Sequence, residues 1–380
     1  MTKNFLYFQP EYVREFVCDG AKCPHNCCEK HWNIEIDEET YERYTRIQPA
    51  SKAREITDCF GRNDTGKYFL KDRPCPFLTE KKLCRLQLEY GENFLSLTCA
   101  TFPRQTFDFG KFFERSLSPA CPLAAEMILF RDAPLTFELV ELPKADDERI
   151  GTFPLPVPQE FVPHFLDVQI AMISILQERT LTIDQRLIVL GFFLDRLDEI
   201  ISDGLDVDAL TKLIAAYESK DFLSTQVPLM LATLQFDAGK FSERMLQLLE
   251  NLYINAPFGI VNLVTETLKN FSALADARKN FLARRTMFPE NFLVNELFMT
   301  CFPWNFKASL AKNFAIFVVT YKLFELPVFA AELKNFGDEK LLALTDWFVT
   351  MTYHLKIFRQ RILACVPDDI LITMESFLQP

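Results

Sequence analysis

Nine of the eleven cysteines in this 380-residue chain fall before residue 122: Cys18, Cys23, Cys27, Cys28, Cys59, Cys75, Cys84, Cys99 and Cys121. Only Cys301 and Cys365 lie in the rest. No other feature constrains the fold as strongly, because a stretch so rich in thiols must cross-link them, bury them singly or hold something with them. The densest part, "CDGAKCPHNCCEKHW" at 18–32, sets four cysteines beside two of the four histidines.

Cross-linking is a poor explanation. The opening "MTKNFLYFQPEYVREF" has no uninterrupted apolar run ending in a small-residue cleavage site, so it does not read as a signal peptide. The longest greasy stretch, "FAIFVVTY" at 314–321, is shorter than a membrane span and is flanked by Lys312 and Lys322. A soluble, cytoplasmic protein with no membrane association is expected, and in that compartment thiols stay reduced. An odd number of cysteines points the same way.

Metal binding fits the pattern better. A zinc ribbon uses two C-x-x-C knuckles, and this chain has none. Its spacings are C-x4-C, C-x3-C and an adjacent pair, followed by dispersed singles. Side chains of neighbours such as Cys27 and Cys28 are expected to point apart, so that one ion does not take both. An iron-sulfur cluster is a larger object that tolerates irregular, long-range spacing. Cys23, Cys75 and Cys121 are each followed by proline, as is one cluster ligand of bacterial ferredoxins. Cys18, Cys23, Cys27, Cys28, Cys75, Cys84, Cys99 and Cys121 are therefore the candidate metal ligands, for an iron-sulfur cluster before zinc. Cys59, Cys301 and Cys365 read as small buried apolar residues. His25 and His31 read as surface residues or as hydrogen-bond donors to the ligands.

The fold class expected is mainly α. A loop-rich N-terminal cysteine-rich metal module of short helices and little strand, 1–150, is joined to an all-α helical body, 151–380. Within the module "WNIEID" alternates like a strand, and Asp37 is placed to cap "EETYERYTRIQ". "LCRLQLEYG" reads as a short helix stopped by Gly91, and "LAAEMILFR" as another. The prolines of "PKADDERIGTFPLPVPQEFVPH" interrupt any continuous helix and set the boundary near 150. Beyond it, "HFLDVQIAMISILQER" and "QRLIVLGFFLDRLDEII" carry apolar residues at three-to-four spacing. Segments near 208–218, 227–235, 242–254, 259–273, 291–299, 310–324, 328–335, 338–353 and 368–378 read as further helices. With 38 phenylalanines against 11 glycines, the core must be built from rings.

Charge narrows the partners. Residues 1–130 carry 18 Lys and Arg against 19 Asp and Glu, and the remainder 23 against 33. An acidic body excludes a nucleic-acid partner, which needs clustered basic residues. A basic partner or a lysine side chain suits it better. The acidic run "DRLDEIISDGLDVDA" is a candidate steering surface, or simply a solvated face.

The cysteine blocks also carry a family likeness. "PEYVREFVCDGAKCPHNCCEKHWNIEIDEETYERY", "CPFLTEKKLCRLQLEYGENFLSLTCATFPR" and "ERSLSPACPLAAEMIL" occur in order through residues 10–130. Together they resemble the flagellin lysine-N-methylase family, whose front end belongs to a wider group of zinc- or iron-chelating cysteine-rich domains. The resemblance implies a cytoplasmic enzyme that transfers methyl groups from S-adenosylmethionine to lysine side chains of flagellin. It also implies a 4Fe-4S iron-sulfur cluster held by the N-terminal cysteines, without settling which four ligate it.

The residues themselves add limits to that chemistry. Few glycines and no Gly-rich turn after a strand exclude a Rossmann-type methyltransferase, and the C-x3-C-x2-C spacing of radical S-adenosylmethionine enzymes is missing. Lysine methylation requires a neutral amine and favours aromatic surroundings, for which Tyr41, Tyr44 and Tyr90 are candidates. Arg104 in "TCATFPR" is the candidate grip on the cofactor carboxylate. Two rivals remain open at this point: a zinc-stapled protein-interaction module without activity, and an iron-sulfur redox or sensor protein.

Overall fold

In the computed structural model the described residues are 4–23, 26–30, 34–64, 66–143, 150–151, 160–202, 204–252, 259–304, 308–354 and 356–380. The chain divides into two units, one of Met1–Ala125 with Phe137–Thr152, the other of Glu126–Thr136 with Phe153–Pro380.

The first unit holds more strand than its sequence suggests. Its strands are β1 (Asn4–Pro10), β2 (Glu35–Ile36), β3 (Phe60–Arg62), β4 (Tyr68–Leu70), β5 (Arg104–Asp108), β6 (Phe113–Leu117), β7 (Phe137–Pro143) and β8 (Ile150–Gly151). One sheet runs in the order β7-β1-β6-β5-β8 and a smaller one in the order β2-β4-β3. The expectation of little strand is thereby corrected. Inner strands β1 and β6 are buried along most of their length, so "LYFQP" and "FERSL" lack the period-two alternation that announces a half-exposed strand. In β1 Tyr7 stands opposite Phe113 and Phe8 opposite Glu114 of β6, in parallel register.

Local signals held where they were strong. Asp37 caps the Glu38–Thr45 helix, its Oδ1 accepting from the Thr40 amide at 2.7 Å. The Arg85–Tyr90 helix ends at Gly91, whose φ of 90° suits glycine. Pro122–Leu129 forms the short helix expected after Cys121. Tyr44, Ile56, Phe60, Phe77 and Leu86 meet in a small aromatic core, against which Cys59, Cys75, Cys84, Tyr90 and Phe94 pack.

The second unit is helical among its described residues, from Phe165–Leu176 and Ile183–Ser202 to Ile370–Phe377. Three segments differ from the periodicity reading. Residues 259–273 split into Ile260–Leu268 and the start of Phe271–Arg284, where Asn270 caps the second helix. Segments 310–324 and 328–335 fuse into one helix, Leu310–Glu332, that runs through Pro327. A helix at Lys356–Cys365 carried no clear stripe. Pro327 is tolerated because the helix around it is buried on all sides, so packing offsets the one donor lost. Leu310–Glu332 is also long and apolar enough to cross a membrane, which its inner stretch "FAIFVVTY" did not suggest, and its whole apolar window is buried within the unit.

Phe288–Thr300 and Leu310–Glu332 carry the ring-built centre of this unit. Phe292 stacks on Phe324 with centroids 3.9 Å apart, and Phe288 lies parallel to the same ring. Offset and edge contacts of this kind add specificity to burial. Helices apolar all round show no amphipathic stripe.

Candidate functional site

The thiol site is assembled from three short stretches. Asn26 starts the 3-10 turn Cys27–Glu29, its Oδ1 accepting from the Cys28 amide at 2.9 Å while its Nδ2 donates to the Lys82 carbonyl at 2.8 Å. The Cys75 amide donates to the Cys28 carbonyl at 2.9 Å, tying that turn to a tight hairpin. In that hairpin Cys84 bridges to Leu78 and Arg85 N donates to the Phe77 carbonyl. Ser96 caps the five-residue helix Leu97–Thr101 through the Cys99 amide and so delivers the third stretch.

Five sulfurs gather there. The Cys28 thiol is hydrogen-bonded with both Cys27 and Cys75, while Cys84 and Cys99 lie within charge-interaction range of Cys75 and Cys27. Contact between the Cys27 and Cys28 thiols corrects the expectation that the pair points apart: the capped 3-10 turn brings them together.

Their proton affinities divide. The bond to Cys28 lowers the Cys27 and Cys75 thiols, with Lys30 helping at Cys27 and Arg73 at Cys75. Holding the shared proton raises Cys28 far above the ordinary thiol range. Burial raises Cys84, and it pushes Cys99 up to about 12 although part of that residue stays exposed. Thiols of lowered proton affinity beside thiols of raised affinity make a nucleophilic, metal-seeking surface.

Three cysteine candidates remain. Cys121, buried and pushed up to about 11 by that burial, interacts with Cys23. Lys30 joins the two sets, since its charge acts on both Cys27 and Cys121 and its Nζ donates to the Ala120 carbonyl at 2.5 Å. Cys18 is exposed and accepts from the Gly20 amide at 3.4 Å. Among the described residues no group of three or more His, Cys, Asp or Glu is arranged to hold one metal ion. His25 and His31 lie outside the described residues.

Several polar expectations are redirected. Arg104 donates to the Phe16 carbonyl at 3.2 Å and lies 5.1 Å from its ring centroid. The guanidinium whose charge acts on Cys28, Cys75 and Cys99 belongs instead to Arg73. Its place two residues before Cys75 in "DRPCP" was the available signal. Tyr41 stacks on Tyr68, Tyr44 donates to the Phe94 carbonyl, and Tyr90 packs on Phe94, so these rings build core beneath the thiols. Cys59 packs on that core and Cys301 is buried as expected. Cys365 is exposed, because it ends its helix at the surface. In the acidic run, Asp195 and Glu199 face solvent, and Asp206 is spent as a helix cap.

The helical unit contains a second candidate, a cavity of about 460 Å³. Three buried charges, Asp184, Lys322 and Glu325, and the half-buried Arg278 belong to its lining. Lys322 Nζ bonds Asp184 Oδ1 and Glu325 Oε1, each at 2.7 Å, and Arg278 grips both oxygens of Asp184 at 3.0 and 3.2 Å. Burial by itself would raise the Asp184 carboxyl, but Arg278 and Lys322 outweigh it and hold that group below the usual carboxylate range. Nearby, Glu290 receives Arg179 and Arg186 together, which ties Ile183–Ser202 to Phe288–Thr300.

Comparison with known proteins places these features. The description "FliB lysine N-methylase C-terminal domain" matches residues 169–379. The chain belongs to the FliB lysine N-methylase family. The flagellar biosynthetic protein FliU of Salmonella muenchen is 33% identical over 134 residues, which cover 33% of this chain and 79% of FliU. Lysine-N-methylases of Salmonella typhimurium strain LT2 and Salmonella choleraesuis strain SC-B67 are also 33% identical over 134 residues. The match spans a third of each of those two proteins. No solved structure matches the chain. The segment that matches the FliB family holds all four ions of the cavity, whereas the interacting thiols precede it.

Proposed function

We propose that this chain is a protein-lysine N-methyltransferase acting on flagellin, with S-adenosylmethionine as donor and an iron-sulfur cluster of the 4Fe-4S type on its N-terminal thiols. The family match over residues 169–379 carries the reading. Relatives named lysine-N-methylase and flagellar biosynthetic protein support the reaction and the substrate. The acidic helical body suits a lysine-bearing partner and opposes nucleic acid. Cytoplasmic location follows from thiols that need a reducing compartment.

The cluster would be held by four of Cys27, Cys28, Cys75, Cys84 and Cys99. Two observations support the fit. These cysteines come from separate stretches and interact with one another, and a cluster accepts ligands from distant points of a chain. Arg73 and Lys30 offset the charge that thiolates bring. The donor, when bound, supplies an electrophilic methyl carbon: the lysine nitrogen lone pair forms the new N–C bond as the S–C bond breaks. What the protein must do is exclude water and keep that amine neutral until transfer.

Coexpression with flagellin, followed by mass spectrometry of flagellin peptides, tests the proposal. Methylated lysines are expected only when the chain is present. Unmodified flagellin beside well-folded protein would refute it.

A further inference from the structure

We infer that the cavity of the helical unit binds the methyl donor, a small zwitterion that bears a carboxylate, an ammonium and a sulfonium next to a purine. The inference rests on the donor named above and adds where it sits. At about 460 Å³ the cavity falls in the range of small-molecule sites, roughly 300–1,000 Å³.

Its charge pattern selects among ligands. Asp184 and Glu325 balance Arg278 and Lys322, so this quartet is neutral but strongly dipolar, while Arg186 and Lys279 add two cations to the lining. A simple anion would meet two carboxylates there, and a simple cation would meet Arg278 and Lys322. A zwitterion finds a complement for each end. Arg278 is the member of the quartet that reaches the open space, since 22% of its side chain remains exposed, against 3% for Lys322, 4% for Asp184 and 7% for Glu325. Four ions in place of apolar residues do not by themselves make a core more stable, so their position on a cavity wall calls for a use.

Aromatic lining suits the rest of the donor. Phe236, Phe241, Phe329 and Phe377 also line the cavity, and aromatic surroundings favour a purine and attract a sulfonium. Arg278 already lies 6.0 Å from the Phe329 centroid, which brings the charged wall and the aromatic wall within one ligand's length.

The test is equilibrium binding of S-adenosylmethionine and S-adenosylhomocysteine to the full chain by calorimetry, with far-UV circular dichroism as the folding control. Ala275 lines the cavity at an exposed position, so Ala275→Trp narrows the space without touching the ions. Glu325→Gln removes one charge at constant shape. Each is expected to weaken binding about tenfold or more, the equivalent of one charged hydrogen bond, while Cys28→Ser with Cys75→Ser leaves it within about twofold of the parent chain. If Glu325→Gln fails to fold, Ala275→Trp decides. Undiminished binding in the cavity variants, with loss in the cysteine variant, overturns this assignment and leaves the methylation reading standing. A parent chain that methylates flagellin without binding S-adenosylmethionine overturns the donor and the inference together.

Discussion

The two units solve the problem of holding a chain together in different ways. In the helical unit, helices of 20 and 23 residues bury stacked rings and paired ions. The N-terminal unit relies on helices such as Glu38–Thr45 and Ala50–Thr57, eight residues each, and on short strands around the thiols. Isolated helices that short are marginal in water. Under the proposed function, bonds to a metal centre would add order to such pieces, because ligand binding free energy becomes folding free energy. The contrast therefore separates a unit of long, mutually packed helices from one of short helices and strands around interacting thiols.

Removing those sulfurs should have the largest effect and only on one side of the contrast. For Cys28→Ser with Cys75→Ser, anaerobically purified protein should lack the iron and the brown visible absorption that the proposed cluster would give the parent chain. Helical content should change little. Iron retained at the parental ratio would disprove the grouping, and a colourless parent holding stoichiometric zinc would replace the cluster with a structural staple.

On the other side, the ion quartet should be expensive to break. Asp184→Ala strands Arg278 and Lys322 in the interior and should cost about 3–5 kcal/mol in urea unfolding. The sign of the pH dependence follows from the depressed folded-state carboxyl. Its contribution is fully present above the unfolded pKa of about 3.9 and is lost as pH falls through the lower folded value. The gap between the parent chain and Asp184→Asn should thus be flat near neutrality and shrink in acid below about pH 4. A gap that widened in acid would mean that Arg278 and Lys322 do not hold Asp184 ionised.

A smaller effect tests packing in the same unit. A methyl group on Gly191 would stand 2.7 Å from Met374 Sδ and 2.9 Å from Phe314 Cζ, both on fully buried side chains. Gly191→Ala should cost about 1–3 kcal/mol by thermal denaturation, as overpacking does. An unchanged Tm would show the helical core to be looser than the aromatic stacking implies.

What could be read from residues alone was whatever depends on near neighbours. Asp37 caps a helix and Gly91 stops one because each acts on backbone groups within a few positions. Amphipathic helices such as Val207–Glu218 show their stripe for the same reason. The misses share a cause as well. β1, β6 and Leu310–Glu332 are covered on all sides, so burial erases the periodicity that marks half-exposed elements. Arg73, whose charge acts on Cys28, Cys75 and Cys99, went unnoticed because charge acts through space and not along the chain.

By itself the sequence determined that the first third would concentrate thiols, that the remainder would be helical and acidic, and to which family the cysteine blocks point. Only the tertiary structure decided that Cys27, Cys28, Cys75, Cys84 and Cys99 gather while Cys121 interacts with Cys23. It alone brought Asp184, Arg278, Lys322 and Glu325 from three helices to one cavity. Spacing along a chain fixes contacts over a turn or two of backbone, whereas contacts between distant segments are chosen by how whole surfaces pack.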